Sequence, residues 1–70
     1  MIAAISQAQR KLCVCLHPVA QCSDGFWLAT DSGGNSRYLV AILDDESLYI
    51  HKFTRGEISK WKQSEFAHLF

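Results

Sequence analysis

Apolar runs separated by short polar turns occupy the middle of the chain, and this pattern predicts an antiparallel sheet. One apolar run covers residues 26–30 and the next covers residues 38–43. Between them, residues 31–36 are polar and include Gly33 and Gly34, which predicts a long hairpin loop. Residues 38–43 are apolar at every position, so we expect this strand to be central and covered on both faces.

Another strand is predicted at residues 47–53, after an acidic turn at residues 44–46. Side chains alternate between the two faces of a strand. Leu48 and Ile50 therefore belong to one face of the sheet, and the odd-numbered residues from Tyr49 to Phe53 belong to the other.

Residues 54–61 have two interpretations. We favour a turn at residues 54–57, followed by a further strand at residues 58–61 that pairs back on the sheet. The alternative is a helix that begins at Thr54, because Thr54 and Glu57 have the spacing of a capping box. In that helix Gly56 would occupy the first turn at a cost of about 1 kcal/mol, and we therefore favour the strand.

The first third of the chain also has two interpretations. Ser6 and Gln9 have capping-box spacing, and apolar residues from Ala8 onwards recur at helical intervals. Pro18 would end such a helix near residue 16. The alternative is a strand at residues 12–17, in which apolar side chains alternate with two cysteines and a histidine. We favour the helix, because a central strand that is apolar on both faces needs a helix to cover it.

A short C-terminal helix is predicted at residues 64–69, with Phe66, Leu69 and Phe70 on its apolar side. The predicted fold is therefore α+β, with an N-terminal helix, an antiparallel β-meander of three or four strands and a short C-terminal helix. The chain has 70 residues, which is enough for one small domain at residues 1–70 and too few for two hydrophobic cores.

Amino-acid composition argues against several classes of function. Seven basic and seven acidic residues give a formal net charge of zero, so non-specific binding to nucleic acid is not expected. No apolar run reaches about 18 residues, so we expect no contact with a membrane. The N-terminus lacks the basic flank and apolar stretch of a signal peptide, and three cysteines cannot all pair with one another. We therefore expect a cytoplasmic protein with reduced thiols.

A cluster of sulfur and imidazole side chains lies at Cys13, Cys15, His17 and Cys22. Zinc takes these ligands in a tetrahedron, and a strand would place the first three on one face. The spacing is not that of the common zinc motifs, and a helix would separate Cys13 from Cys15. We therefore expect these cysteines to be small hydrophobic core residues, with neither a metal nor another cofactor.

Three histidines and several aspartates are available for catalysis, but catalysis needs such groups to be held together in a pocket. A chain of this length leaves little room for a pocket of a few hundred Å³. We therefore predict no catalytic residues and expect that the protein is not an enzyme.

The aromatic residues outnumber what one face of a small sheet can bury. Either two helices cover both faces, or one face meets a partner. We expect a non-catalytic module that works by protein–protein contact, as a homo-oligomer, as a subunit of a complex or as an inhibitor of a larger target. By analogy of size and charge alone, domains of this kind are common among phage and mobile-element proteins that bind and block host machinery. The predicted partner-binding residues are Trp27, Tyr49, Lys52, Arg55 and Trp61.

The alternative function is a small nucleic-acid-binding domain. Aromatic side chains on a sheet, flanked by cations, often hold single-stranded nucleic acid. The acidic turn at residues 44–46 would repel phosphate, so we favour the protein partner. The third hypothesis is an interaction module held together by zinc. The residues of the nucleic-acid alternative are Lys52, Arg55, Lys60, Lys62, Tyr49 and Trp61.

Overall fold

The computed structural model describes residues 2–70 and has the predicted α+β fold. Helix α1 (Ala3–Leu12) precedes four strands: β1 (Leu16–Ser23), β2 (Phe26–Asp31), β3 (Arg37–Ile42) and β4 (Leu48–Lys52). Helix α2 (Arg55–Lys62) and a short 3₁₀ helix (Ala67–Leu69) follow. Within residues 2–70, no helix has the length and apolar content needed to cross a membrane.

The four strands form one antiparallel meander in the order β1-β2-β3-β4. The predicted hairpin is present, since Phe26 of β2 pairs with Ala41 of β3 and Thr30 pairs with Arg37. The prediction that β3 is central is also confirmed, because Val40 and Ala41 are almost fully buried on opposite faces. Strands β1 and β4 are the two edges of the sheet.

Helix α1 covers one face of the sheet, here called the α1 face. Its inner side carries apolar residues at helical spacing, of which Ile5 and Ala8 are buried. They pack against Ala29, Tyr38 and Val40 of the sheet. The predicted helical cover over the central strand is therefore present.

The predicted bounds of the first helix were wrong. The helix starts at Ala3 and ends at Leu12, and its N-cap is Ile2, which makes no side-chain cap. Gln9 does not close a capping box with Ser6. Instead, its side-chain oxygen accepts a hydrogen bond of 2.8 Å from the backbone N–H of Leu16, where β1 begins. The chain leaves the helix at Cys13, which adopts a left-handed conformation with φ 55°.

The alternative prediction placed a strand at residues 12–17. The observed strand, β1, begins at Leu16 and ends at Ser23, six residues beyond the predicted end. Pro18 was expected to end a helix, but it lies inside this edge strand. Irregularities in the pairing with β2 occur between Pro18 and Ala20 and between Gln21 and Ser23. A proline is compatible with an edge strand because its missing N–H can face outwards, where no bond of the sheet is lost.

Residues 55–62 form a helix, so the strand predicted at residues 58–61 was wrong. The capping box is complete, because Thr54 Oγ1 accepts from the Glu57 N–H at 3.2 Å and Glu57 Oε1 accepts from the Thr54 N–H at 2.9 Å. These two bonds outweigh the cost of Gly56 in the first turn. The predicted C-terminal helix is reduced to the 3₁₀ turn.

The face of the sheet opposite α1 is covered by the C-terminal segment. Leu28, Ala41 and Phe53 are buried on this opposite face. Trp61 and Phe66 lie over it and form a cleft with Phe26, Leu39 and Cys22 of the sheet. The C-terminal segment therefore covers part of this face, while Tyr49 on the same face stays exposed.

We predict that Thr54→Ala lowers the free energy of unfolding by about 1 kcal/mol, because it leaves an orphan N–H at the start of α2. Chemical denaturation with urea measures this difference. Ser59→Ala is the matched control, since Ser59 is exposed in the middle of the same helix. If Thr54→Ala is as stable as Ser59→Ala, the cap does not contribute to the stability of the domain.

Candidate protein-binding surface

The structure divides the five predicted partner-binding residues into two groups. Tyr49, Lys52 and Arg55 lie on and just after β4, which is an edge strand, although Tyr49 and Lys52 are on opposite faces of it. Trp27 and Trp61 are partly buried and lie on opposite faces of the sheet. The structure therefore brings three of the five side chains to one edge.

Both tryptophans take part in internal packing. Trp27 packs against the core between α1 and the sheet. The ring centroid of Trp61 lies 5.5 Å from Phe53, 5.1 Å from Phe66 and 5.6 Å from Phe70. This C-terminal aromatic cluster (Phe53, Trp61, Phe66 and Phe70) attaches the end of the chain to the sheet, and it accounts for much of the aromatic excess in the sequence.

Tyr49 is the aromatic side chain that is most open to a partner. It is 37% exposed, and its ring makes an edge contact with Phe26 at a centroid distance of 6.0 Å. Lys52 and Arg55 are exposed on the same edge. We call this region the β4 edge surface and define it by five residues: Leu48, Tyr49, Ile50, Lys52 and Arg55.

One carboxylate connects β4 to α2 and fixes the shape of this edge. Glu57 Oε2 lies 2.9 Å from His51 Nε2, and Glu57 Oε1 accepts from the N–H of Thr54. The Thr54 N–H, and after it the His51 side chain, lower the pKa of Glu57 below its ordinary value. The start of α2 is thereby held against the strand that carries Tyr49 and Lys52.

The cations of the nucleic-acid alternative point in several directions. Lys52 lies on the α1 face of β4, as its pairing with Tyr38 shows. Lys60 lines a shallow cleft beside Glu57 and Trp61. Lys62 lines a different cleft with Arg37 and the loop before β3. Tyr49 and Lys52 are therefore on opposite faces of the sheet, and the four cations do not flank one aromatic surface.

The sulfur and imidazole residues are dispersed. Cys13 and Cys15 are exposed in the turn between α1 and β1, and Cys15 Sγ lies 3.8 Å from His17 Nε2. Cys22 is half-buried further along β1. Among residues 2–70, no group of three or more histidine, cysteine, aspartate or glutamate side chains could hold a metal ion. The expectation that these cysteines are core residues is wrong for Cys13 and Cys15, which are at the surface.

The clefts of the domain are open. One cleft of about 570 Å³ lies at the end of the sheet where two turns meet, with Asp24, Asp44 and Asp45 around apolar Phe26 and Ile42. The polar lining of this cleft thus includes three carboxylates. Comparison of the chain with protein-family models, with curated proteins and with solved structures finds no match.

The sequence indicated three side chains of the β4 edge surface, Tyr49, Lys52 and Arg55, but not Leu48, Ile50 or the backbone of the strand. Leu48 and Ile50 were assigned only to a face of the sheet. The free outward backbone groups of Leu48 and Ile50 could have been inferred from two features of the sequence. Residues 47–53 contain no proline, and they form the last strand of the meander. The edge position of this strand would have followed if residues 58–61 had been assigned to the helix.

We predict that Cys22 reacts with iodoacetamide more slowly than Cys13 and Cys15 in the folded protein. Burial raises the pKa of the Cys22 thiol, and the thiolate is the reactive form. Peptide mass spectrometry after timed alkylation measures the three rates. Alkylation in denaturant is the control and should give similar rates. Equal rates in the folded protein would contradict this placement of Cys22.

We predict that Glu57 contributes to the loss of stability in acid. Its pKa is lower in the folded chain than its ordinary value of 4.5, so its stabilising effect is present above that value and is lost as the pH falls through the lowered one. Glu57→Gln should therefore approach the stability of the wild type as the pH falls below 4.5.

Urea denaturation at a series of pH values measures this convergence. Asp31 and Asp45 also have lowered pKa values, but they are unchanged in the variant and cancel in the comparison. Glu65→Gln is the control, because Glu65 is exposed near the C-terminus. Parallel pH profiles for Glu57→Gln and the wild type would contradict the role of Glu57.

Proposed function

We propose that this chain is a small non-catalytic protein-binding module whose contact surface is the β4 edge surface. The observation that carries the proposal is the exposed aromatic ring of Tyr49 on an edge strand, with Lys52 exposed on the other face of that strand and Arg55 exposed at the start of α2. Interfaces are enriched in tyrosine and arginine, since these side chains combine a large contact area with hydrogen bonding.

The packing of the remaining aromatic residues supports this surface over others. Trp27 and Trp61 contribute to internal clusters, so they stabilise the domain that presents β4. The bond between His51 and Glu57 keeps β4 and the start of α2 in one arrangement. A surface that is ordered before binding loses less conformational entropy when a partner arrives.

The clefts give little support to catalysis. The cysteine and histidine pair formed by Cys15 and His17, with Sγ and Nε2 3.8 Å apart, lines an open cleft. Both side chains are exposed, and within residues 2–70 no side chain bonds to the second ring nitrogen of His17. An exposed pair of this kind lacks the third group that orients the base in cysteine enzymes. Binding without catalysis is therefore the proposal.

The proposed setting is the cytoplasm, where free thiols persist. None of the three cysteines forms a disulfide, and two of them are at the surface. A module of this kind can act as a homo-oligomer, as a subunit of a complex or as an inhibitor that docks on a larger protein, including a phage-encoded one. These possibilities share one requirement, which is direct protein contact at β4.

Site-specific photo-cross-linking tests the surface. Tyr49 is replaced by p-benzoylphenylalanine in one variant, and Val19 is replaced in the matched control. The two positions are 37% and 39% exposed and lie on opposite edges of the sheet. After irradiation in the cells from which the chain comes, we expect cross-links to protein from position 49 and few from position 19.

The cross-linked partner decides between the alternatives. A protein adduct that forms at position 49 alone supports the proposal, whether the partner is another protein or a second copy of the chain. An adduct that nuclease removes supports the nucleic-acid alternative. Equal adducts from both positions, or none from position 49, would count against the β4 edge surface.

A further inference from the structure

Two backbone hydrogen bonds fix the direction of every peptide group along β4. The N–H of Leu43 donates to the C=O of Ser47 at 2.9 Å, beyond one end of the strand. The N–H of Phe53 donates to the C=O of Arg37, also at 2.9 Å, beyond the other end. In an antiparallel pair, residues that bond to the neighbouring strand alternate with residues that do not.

This alternation divides the strand into two sets. Tyr49 and His51, which pair with β3 between these two bonds, direct their backbone groups inwards to β3. Leu48, Ile50 and Lys52 direct their N–H and C=O groups outwards, away from the sheet. No hydrogen bond outside the sheet occupies these outward groups within residues 2–70. The outer side of β4 therefore presents a row of donors and acceptors that another strand can use.

The opposite edge of the sheet is less suited to the addition of a strand. Strand β1 contains Pro18, and its pairing with β2 is interrupted twice. Proline and bulges are the devices by which proteins prevent the pairing of edge strands. Strand β4 has no proline and keeps a regular register with β3 from residue 48 to residue 52. Its protective features are its length of five residues and the charge of Lys52.

Charges of opposite sign lie at the two ends of β4. The turn before the strand carries Asp44, Asp45 and Glu46, all exposed. Lys52 ends the strand, and Arg55 begins α2. When two copies of this strand are placed antiparallel, the acidic end of each lies beside the basic end of the other. The strand is therefore complementary to itself, and a separate partner is not needed to satisfy its charges.

We propose that two copies of this chain associate by antiparallel pairing of their β4 strands, with a two-fold axis at Ile50. This inference rests on the proposed protein-binding function and names the partner. In this register Ile50 lies opposite Ile50 of the second copy, and Leu48 lies opposite Lys52 of the second copy. All three outward residues of each strand then bond across the axis, and the two sheets become one continuous sheet.

The side chains fit the same register. Leu48 and Ile50 are half-buried on the α1 face, and the second copy would cover both of them. On the other face, the exposed ring of Tyr49 would lie opposite His51 of the second copy. Lys52 would lie at the end of the second copy's β4 that carries the acidic turn with Glu46. The positive charge of Lys52, which disfavours pairing with other strands, would therefore be compensated by the acidic turn of the second copy.

Exchange of the charges tests the arrangement. One variant carries Lys52→Glu and Arg55→Glu, and the other carries Asp44→Lys and Glu46→Lys. Asp45 is left unchanged, because it accepts hydrogen bonds from Ser47 that hold the turn. Circular dichroism confirms that each variant is folded, and sedimentation equilibrium at low salt measures the dissociation constant.

We expect the wild type to dimerise and each variant alone to dimerise at least about tenfold more weakly, because like charges then face each other at both ends. Mixing the two variants should restore a dimer, since opposite charges again meet at both ends. Native mass spectrometry identifies this mixed dimer by its mass. A monomeric wild type, or a dimer that neither variant weakens, would overturn the inference.

Hydrogen exchange of the unmodified protein tests the backbone pairing directly. Nuclear magnetic resonance follows the amides of β4 in dilute and concentrated samples. Exchange at Leu48, Ile50 and Lys52 should slow by at least about tenfold with concentration, because a dimer would bond these amides. The inward amides of Tyr49 and His51 are the internal control and should be protected at every concentration. A dimer that leaves the outward amides unprotected would overturn pairing through β4.

The two proposals fail in different ways. A monomeric wild type whose position 49 cross-links to a different protein would overturn the self-association and leave the protein-binding function in place. A monomer that forms no protein adduct from position 49 would count against both.

Discussion

The central strand β3 is buried on both of its faces, and the other elements are arranged around this requirement. Tyr38 and Val40 pack beneath α1, while Ala41 lies on the opposite face under the C-terminal segment. A domain of this size buries only about 60% of the surface of its unfolded chain, so few apolar residues can be left outside. The helix at one end of the chain and the aromatic cluster at the other are therefore both needed to cover the sheet.

Covering both faces leaves the edges of the sheet as the places where a partner can gain hydrogen bonds. The two edges are built differently. Pro18 and the irregular pairing of β1 disfavour the addition of a strand, whereas β4 is regular and has unpaired outward groups at Leu48 and Ile50. The asymmetry gives the domain a single edge suited to β-pairing, and the exposed side chains of Tyr49 and Arg55 lie at that edge.

Order at this edge depends on Glu57, which is at once part of a helix cap and a link to the sheet. Its Oε2 contacts His51 of β4 and its Oε1 closes the helix cap with Thr54, so separation of α2 from β4 would cost the His51 contact and free a side chain that the cap uses. The arrangement connects the stability of a short helix to the shape of the proposed contact surface. Both side chains of the His51–Glu57 pair are about 40% exposed, so solvent screens their attraction and the capping bonds carry more of the effect.

The sequence alone determined the β2–β3–β4 meander, because alternation, turn residues and a wholly apolar central strand are local signals. It also indicated Tyr49, Lys52 and Arg55, which are close in sequence and stay close in the fold. The tertiary structure decided the rest. Pro18 is compatible with the end of a helix and also with an edge strand, because its nitrogen has no hydrogen to donate. Which of the two it occupies depends on the position of β1 at the edge of the sheet. In the same way, the exposure of each tryptophan depends on which segment covers which face, and that choice arises from packing between residues distant in the chain.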